Sequence, residues 1–393
     1  MVVGVVAEYN PFHGGHLRHF EAIRAAAGED TPIVAVLSGD FVQRGEAAVF
    51  SKSARAEAAV RCGVSLVLEL PLPWCLSSAE GFARGGIGVL SASGVVDTVS
   101  FGSESGDLAE LVKCAEALDS DSFRLALRDA LTHGSSFASA REKAVRVLIG
   151  DGADVLRSPN DLLAVEYIRA AAAMKGELSF LPVKREGPAH DAPGSASDLR
   201  GRMREGDAWL RSVPENAASI FRREQAEGRG PVLPGALSAA VMSRLRVLRE
   251  EDMALLPDAA EGLDHRLFRA IQNAASPEEA AQAAKTKRYA LSRLRRMVMC
   301  AALGVKKGDA DGIPPYIRVL AMDRKGAALL RTMRRTASLP VITKPARVKD
   351  LDERSKAIFA LTSWAHDLFA LGYEDEKQHV ALGDWRSSPA VIR

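Results

Sequence analysis

The chain has 393 residues, of which 47% are hydrophobic and 26% are charged, and its formal net charge is +2. This balance is typical of a soluble globular protein, and the length favours two or three domains. A nearly neutral chain excludes nucleic-acid binding through overall basicity, so any such surface must be a local patch. The apolar runs are too short to cross a membrane, and the cysteines lack a disulfide or zinc spacing. We therefore expect a cytoplasmic protein with no membrane partner and with buried, reduced thiols.

The first half of the chain alternates short apolar runs with helical segments. We predict strands at residues 2–7, 32–37, 65–70, 97–101 and 178–183. Helices are predicted between the first four strands, at residues 17–27, 53–62 and 78–90. Apolar runs without polar alternation are typical of parallel strands that are covered on both faces. The succession predicts an α/β, Rossmann-like domain with a five-stranded parallel sheet and ligands at the carboxyl ends of the strands.

The turn after the first predicted strand reads Asn10-Pro11-Phe12-His13-Gly14-Gly15-His16. A helix N-terminus at this point would present unpaired N–H groups and partial positive charge, which suit a phosphate. Gly14 and Gly15 allow a close backbone approach, and His13 and His16 could both donate to one phosphate when protonated. An isolated pair of this spacing is more often a surface pair or half of a metal site, and no motif supplies a third metal ligand. Its place after a buried strand favours a nucleotide site.

Three weaker signals come later in the chain. Gly102 ends the fourth predicted strand and could let a purine or ribose lie against the backbone, unless it only forms an ordinary turn. Residues 159–174 are predicted as a helix with Ser158 as its N-cap, and Asn160 could bind a ligand, although such residues at a helix start are usually caps. Lys184 and Arg185 follow the fifth strand and could hold a phosphate, although exposed basic pairs are common. Residues 187–194 have the composition of a loop.

Hydroxyl side chains open a further predicted helix in Ser195-Ala196-Ser197-Asp198-Leu199-Arg200. Ser195 and Ser197 at the helix start, with Arg200 one turn later, could bind a phosphate from the side opposite the histidines. Capping by a serine is compatible with this role. The sequence contains no P-loop, no GxGxxG turn and no convincing nucleophile–histidine–acid set.

From about residue 214 onward helical periodicity dominates, so we predict domains at 1–210 and 211–393, the second all-helical. Residues 285–296 are basic, and no acidic residue falls between Lys285 and Lys307. A single helix over this stretch would gather its cations on one side, which favours an RNA backbone over a merely solvated face. The candidate RNA contacts are Lys285, Lys287, Arg288, Tyr289, Arg293, Arg295 and Arg296.

Taken together, these residues resemble the tRNA(Met) cytidine acetate ligase family of the HIGH-type nucleotidyltransferases, over nearly the whole chain. The matching segments are 8–16, 37–45, 68–71, 101–104, 158–160, 195–200 and 285–296. The resemblance implies that ATP activates acetate as acetyl-adenylate, and that N4 of the wobble cytidine of elongator tRNA(Met) is then acetylated. It departs at Gly14, where we expect a variable residue, often Asn, and at Leu199, where we expect Ile.

The resemblance also implies roles for individual residues. The catalytic set would be His13, His16 and Arg200. The ATP contacts would be Ala7, Glu8, Tyr9, Asn10, Pro11, Phe12, Gly14, Gly15, Phe20, Gly102, Asn160, Lys184, Arg185, Ser195 and Ser197. Mg²⁺ would accompany ATP without a dedicated set of protein ligands. Two alternatives remain open: an adenylyltransferase that makes a dinucleotide cofactor, and a non-catalytic protein that binds nucleotide or RNA.

Overall fold

The computed structural model of the chain describes residues 1–132, 137–174, 178–185, 195–260 and 262–393. The strands are β1 (Val3–Ala7), β2 (Ile33–Ser38), β3 (Phe41–Val42), β4 (Glu46–Ala47), β5 (Leu66–Leu70), β6 (Thr98–Ser103), β7 (Ser179–Lys184), β8 (Ile317–Met322), β9 (Val341–Ile342) and β10 (Ala390–Val391). The first nine helices are α1 (Gly14–Ala27), α2 (Lys52–Arg61), α3 (Leu72–Cys75), α4 (Ala79–Ala92), α5 (Leu108–Asp119), α6 (Asp121–Thr132), α7 (Phe137–Ile149), α8 (Pro159–Ala173) and α9 (Ala196–Arg202). The later helices are α10 (Glu215–Ala226), α11 (Ser238–Arg246), α12 (Glu250–Met253), α13 (Leu263–Asn273), α14 (Pro277–Ala284), α15 (Leu291–Leu303), α16 (Arg324–Thr336), α17 (Glu353–Ala370) and α18 (Gly383–Arg386). Short 3-10 helices lie at Gly150–Arg157, Met203–Glu205, Asp207–Ser212, Pro345–Asp350 and Glu376–Gln378.

The central sheet confirms the predicted α/β class. Its strand order is β10-β8-β5-β2-β1-β6-β7, and β9 pairs with β8. The five predicted strands are β5, β2, β1, β6 and β7, and each runs parallel to its neighbour among the five. The predicted loop at 187–194 lies outside the described residues.

The strands bury both faces, as their apolar runs predict. In β2, Val34 and Val36 face one hydrophobic cluster with α4, α5 and α8, whereas Ile33, Ala35 and Leu37 face another with α1, α2 and α10. Successive side chains of a strand point to opposite faces, so a strand between two helical layers needs no polar alternation. The sheet is therefore covered on both sides, and its strand ends are left as the place for a ligand.

Two predictions about the sheet and the C-terminal half are wrong. The sheet holds more than five strands, and residues 211–393 are not all-helical, because β8, β9 and β10 belong to the same sheet. Strand β8 runs antiparallel to β5 and pairs Leu66 with Met322, which closes the edge that β5 would otherwise expose. A further helical cluster spans residues 232–305 together with α17, and it includes Phe41, Leu72 and Leu76 from the first half of the chain. A division into domains at residue 210 stays a prediction.

Candidate active site

The histidine motif lies where β1 ends and α1 begins. Tyr9 has a φ of 45°, which is uncommon for a residue other than glycine, and it turns the chain out of the sheet. His13 is the N-cap of α1, and its Nδ1 accepts the N–H of Gly15 at 3.0 Å. His16 reaches back, and its Nδ1 accepts the N–H of His13 at 3.2 Å. The two imidazole centroids are 3.9 Å apart, so both rings lie on one side of the helix start.

These hydrogen bonds define the protonation state of both rings. A ring nitrogen that accepts a backbone N–H cannot carry a proton, so each neutral imidazole holds its proton on Nε2. Burial, with the nearby charges of Arg185, Arg18 and Arg200, lowers the pKa of His13 to about 4. Burial and the neighbouring His13 hold the pKa of His16 well below 6.5. The ligand-free site therefore offers two neutral Nε2–H donors, and donation by the protonated pair to a bound phosphate stays a prediction.

The two glycines of the motif differ in what surrounds them. A Cβ on Gly15 would lie 2.7 Å from Cε1 and 2.9 Å from Nδ1 of His13, which is too close for any side chain. A Cβ on Gly14 would come no closer than 3.7 Å, to the Arg18 guanidinium. Gly15 is thus required by the His13 cap itself, whereas position 14 has room for a side chain.

Several predicted ATP contacts lie beneath the turn with their side chains in the core. Tyr9, Phe12 and Phe20 are at most 2% exposed and pack on one another, and the Tyr9 ring meets the edge of His16 at 4.8 Å. Pro11 is also buried, and the buried Asn10 accepts the N–H of Val49 through its side-chain oxygen at 2.8 Å. Any contact between this layer and a nucleotide must come from backbone atoms. Ala7 and Glu8, at the end of β1, are half-buried.

The second motif meets the first in space. Ser195 caps α9 by accepting the N–H of Asp198 at 3.2 Å. Arg200 donates from Nη1 to the carbonyl of Asn10 at 2.9 Å, and from Nη2 to the hydroxyl of Ser197 at 3.2 Å. The chain separates Arg200 from Asn10 by 190 residues, yet the fold brings the guanidinium to the histidine turn.

The carboxyl ends of β6 and β7 bring further predicted site residues close to the histidine turn. Gly102 pairs with Val183, and a Cβ on Gly102 would lie 3.4 Å from Cγ of Arg185, within ordinary contact. The side chain of Arg185 therefore lies beside Gly102, and its charge acts on His13 and on His16. Lys184 is exposed at the same strand end, where its stem packs beside Gly106.

Asn160 is held by Glu104, which also exchanges hydrogen bonds with Asp161. Glu104 accepts the side-chain amide of Asn160 at 2.6 Å and the N–H of Asp161 at 3.0 Å. Asp161 in turn accepts the N–H groups of Glu104 and Ser105, each at 3.0 Å. Helix α8 begins at Pro159 as predicted, but the hydroxyl of Ser158 makes no capping bond. Glu104 takes that place, which links Asn160 to the end of β6.

Two residues of the site were missed in the sequence. His19 lies one turn beyond His16, and its Nε2 contacts the Ser100 hydroxyl at 2.9 Å while that hydroxyl donates to Leu181. The buried Arg55 donates to the carbonyls of Glu8, Ser38 and Gly39, so it braces the ends of β1 and β2. The third histidine at the same spacing was the available signal for His19. Arg55 sits among alanines in α2 and gave no signal.

The basic stretch does not form the single helix that was predicted. Helix α14 ends at Ala284 and α15 begins at Leu291, so Lys285, Lys287 and Arg288 are exposed between helices. Tyr289 is only 8% exposed and packs in the helical cluster, which leaves no face on which a base could stack.

The arginines of α15 are engaged within the protein. Arg295 pairs with Glu278 at 2.7 Å and with Glu46 at 3.2 Å. Arg296 is buried and lies 3.9 Å from Asp258, and Arg293 donates to the Asp258 carbonyl and lies over the ring of Tyr289. A Cβ on Gly45 would be 2.5 Å from the Arg295 carbonyl carbon, so α15 docks directly on the turn between β3 and β4. The arginines of α15 therefore bind the helix to the rest of the protein. The exposed candidates for RNA contact are Lys285, Lys287 and Arg288, in the segment before α15.

Other features of the described residues can be stated briefly. The four cysteines are buried and free, in keeping with the expectation of buried thiols. No described helix is both long enough and apolar enough to cross a membrane. Within the same residues, no three His, Cys, Asp or Glu side chains gather as a metal site would require.

Comparison with known proteins identifies the family of the chain. Residues 1–382 match the family model described as HIGH Nucleotidyl Transferase. The chain is 35% identical over 389 residues to the tRNA(Met) cytidine acetate ligase of Caldanaerobacter subterraneus, covering 95% of this chain and 96% of that protein. It is 36% identical to the protein of the same name from Thermotoga petrophila, with 88% of each chain covered. The structure of Thermotoga maritima TmcAL bound with alpha-thio ATP superposes with a TM-score of 0.93 at 34% identity, covering 100% of this chain and 99% of that one.

The chain therefore belongs to the tRNA(Met) cytidine acetate ligase family of the HIGH nucleotidyl transferases.

Proposed function

We propose that the protein activates acetate with ATP and acetylates N4 of the wobble cytidine of elongator tRNA(Met). The single observation that supports this most is the pair of Nε2–H donors at the start of α1, with Arg200 bonded to the same turn. Relatives over nearly the whole chain are named for this activity, and the solved relative TmcAL is bound with an ATP analogue.

The first step is an in-line displacement at the α-phosphorus of ATP. An oxygen of acetate forms a bond to that phosphorus, and the bond to the β-phosphate breaks, which releases pyrophosphate and leaves acetyl-adenylate. His13 and His16 would donate Nε2–H to the α- and β-phosphates, while Arg200 and Ser197 act on the pyrophosphate side. Preorganised donors stabilise developing charge without reorganisation, which is most of what such a displacement requires.

The adenosine is proposed to lie against the strand ends. Backbone groups near Ala7, together with Gly102, would seat it, and Asn160 and Arg185 would close over it. Lys184 and Ser195 would lie at the border of the same site. Mg²⁺ would enter bound to the phosphates of ATP, and we assign it no ligand from the chain. We expect the acetylation of tRNA to take place in the cytoplasm, where tRNA and reduced thiols occur together.

The second step transfers the acetyl group. N4 of cytosine attacks the acyl carbonyl, the bond to AMP breaks, and the amine loses a proton. A base in an anticodon loop must be unstacked for this attack, as recognition of single-stranded loops generally requires.

The test is incubation of the protein with ATP, labelled acetate and tRNA, followed by mass spectrometry of the digested tRNA. We expect N4-acetylcytidine and AMP, and a labelled dinucleotide cofactor without modified tRNA would favour the adenylyltransferase instead. His16→Asn keeps an acceptor for the His13 N–H but removes the Nε2–H donor, whereas His16→Ala removes both. Both variants should lower acetate-dependent exchange of ATP with pyrophosphate by about a hundredfold to a thousandfold. Exchange at the wild-type rate in His16→Asn would show that His16 acts only as a cap.

A further inference from the structure

Helix α16 presents a row of cations to solvent. Arg324, Arg331 and Arg335 follow one another at spacings of seven and four residues, which places them on one side of the helix. We call these three residues the α16 arginine row. At 1.5 Å per residue the row extends about 16 Å along the helix axis. All three side chains are exposed, whereas the opposite side buries Gly326, Leu330 and Met333.

The charge around this row is not balanced by the surrounding sequence. Residues 324–349 contain eight Lys and Arg and no Asp or Glu. Among the described residues, no carboxylate forms an ion pair with the α16 arginine row, whereas Lys325 on a different side of the helix pairs with Asp30 at 3.0 Å. The exposed Lys344, Arg347 and Lys349 follow in the next segment. This contrasts with α15, whose Arg295 and Arg296 are paired with carboxylates.

The stability of the helix accounts for Arg335, which lies in the last turn where the helix dipole favours a cation, but it does not account for Arg324 or Arg331. Arg324 lies in the first turn, where the helix dipole disfavours a cation. Arg331 and Arg335 are a like-charge pair four residues apart, which is unfavourable in an isolated helix. The helix is nevertheless held firmly, because Asp323 caps it and a Cβ on Gly326 would lie only 1.9 Å from the carbonyl oxygen of Ser65. A rigid helix with unpaired cations on its outer side is suited to a polyanion.

The place of α16 in the fold separates it from the nucleotide site. The N–H of Asp323 donates to Ser65, so α16 begins beside the amino end of β5. The histidine turn follows the carboxyl end of β1, which runs parallel to β2 and hence to β5. The helix therefore starts at the amino ends of the parallel strands, whereas the proposed phosphate site lies at their carboxyl ends.

We propose that the α16 arginine row binds the phosphate backbone of the tRNA substrate at a distance from the anticodon loop. The proposal rests on the proposed function, because a target base at the histidine turn leaves the rest of a large RNA to lie along the protein. Phosphate contacts of this kind position a nucleic acid without reading its sequence.

The experiment compares Arg331→Ala/Arg335→Ala with the wild-type protein in binding to labelled full-length tRNA at several salt concentrations. Each lost phosphate contact changes the slope of log K against log salt by about 0.7 to 0.9, so the double variant should flatten it by about 1.4 to 1.8. Binding of an isolated anticodon stem-loop and acetate-dependent pyrophosphate exchange should be unchanged. The matched control is Arg124→Ala/Arg128→Ala, which removes the same charge from exposed positions on α6 and should leave the slope as it is.

Each contrary result has a separate meaning. A slope equal to that of the control, or an equal loss with the stem-loop, would overturn the proposal. Unchanged tRNA binding together with lost binding to phosphatidylserine vesicles would assign the row to an anionic membrane surface and overturn it as well. Failure of the wild-type protein to bind tRNA at all, with pyrophosphate exchange intact, would instead overturn the proposed function.

Discussion

The two histidines of the N-terminal turn orient each other through the backbone. The Nδ1 atom of each ring is occupied by a main-chain N–H, at 3.0 Å for His13 and 3.2 Å for His16, so both Nε2–H bonds remain available to a ligand. A neutral donor can approach a phosphate without first being protonated. In the free site, burial keeps both imidazoles neutral, and the charge of Arg185 beside both rings and of Arg200 beside His13 acts in the same direction.

The first prediction is that these histidines do not titrate near pH 6.5 in the ATP-free protein. His13 has its pKa lowered to about 4, as does the half-buried His19, and His16 is shifted in the same direction. Ring signals assigned by NMR should stay constant from pH 8 to about 5.5, well above these pKa values. Because the unfolded chain protonates its histidines near pH 6.5, it binds more protons between pH 6.5 and 4, and these three groups lower the free energy of unfolding as the pH falls. A midpoint near 6.5 for His13 would contradict the hydrogen-bond assignment.

The second prediction separates the two glycines. Gly15→Ala would place a Cβ 2.7 Å from the His13 ring and displace the cap, so it should strongly slow acetate-dependent pyrophosphate exchange. Gly14→Ala meets nothing closer than 3.7 Å and should retain most of the rate. Thermal unfolding of both variants is the control for folding. Equal loss of rate in the two would mean that position 14 also contacts the nucleotide.

At the scale of elements, the sequence was sufficient where local pattern decides the structure. The five parallel strands and the helix starts at His13 and Ser195 follow from short apolar runs and capping residues. Strand β8 was missed because Arg318 interrupts an apolar run in a region of helical periodicity. That arginine is tolerated because it pairs with Glu69, which is 249 residues away in the chain. No local pattern contains such a partner.

The same limit explains the basic stretch. A one-signed run from Lys285 to Lys307 reads as an exposed surface, but Glu46, Asp258 and Glu278 reach it from other elements. The site residues show the same limit, since the sequence indicates a residue only where its own neighbours carry the pattern. The HxxH turn and Arg200 could be found from residue types and spacing, whereas Arg55 and the Glu104–Asp161 exchange depend on tertiary contacts.

The third prediction tests what remains of the basic stretch. Lys285→Ala/Lys287→Ala changes exposed side chains before α15, so the free energy of unfolding should stay within about 0.5 kcal/mol of the wild-type value. If both lysines contact phosphates, the salt slope of tRNA binding should flatten by about 1.4 to 1.8. Arg296→Ala is the contrasting variant, because it removes a buried side chain at the docked start of α15 and should lower stability. An unchanged slope in the lysine variant would leave that segment as a solvated loop.

At the scale of the whole molecule, a buried ionic network joins the two halves of the chain. Lys52 lies 2.6 Å from Glu69 and also pairs with Asp384, and Arg318 contacts the same two carboxylates at 3.1 and 2.9 Å. His366 bonds to Asp40 at 2.9 Å. Burial alone would raise the pKa of Asp40, but the charges of His366 and Lys52 outweigh it and hold that pKa at about 2. The network lies at the end of β2 and in β5 and β8, so it holds the C-terminal strand and α18 against the strands that lead to the nucleotide site.

The last prediction compares a buried and an exposed ion pair that both link distant parts of the chain. Lys52→Met removes the ammonium group from three carboxylates that water does not reach, so the carboxylates lose a partner without gaining hydration. Breaking a buried pair in this way typically destabilises a protein by about 3 to 5 kcal/mol. Lys325→Ala breaks the pair with Asp30, whose side chain is fully exposed and solvated, and should change the free energy of unfolding far less. Urea unfolding of both variants at pH 7 measures the difference between their free energies of unfolding. Lys52→Met should also lose pyrophosphate exchange at a lower urea concentration than Lys325→Ala, because β5, which carries Glu69, lies two strands from β1. Equal stability of the two variants would show that water reaches the carboxylates once the ammonium group is gone. The two halves of the chain would then be held together chiefly by the pairing of β8 with β5 and by apolar contacts.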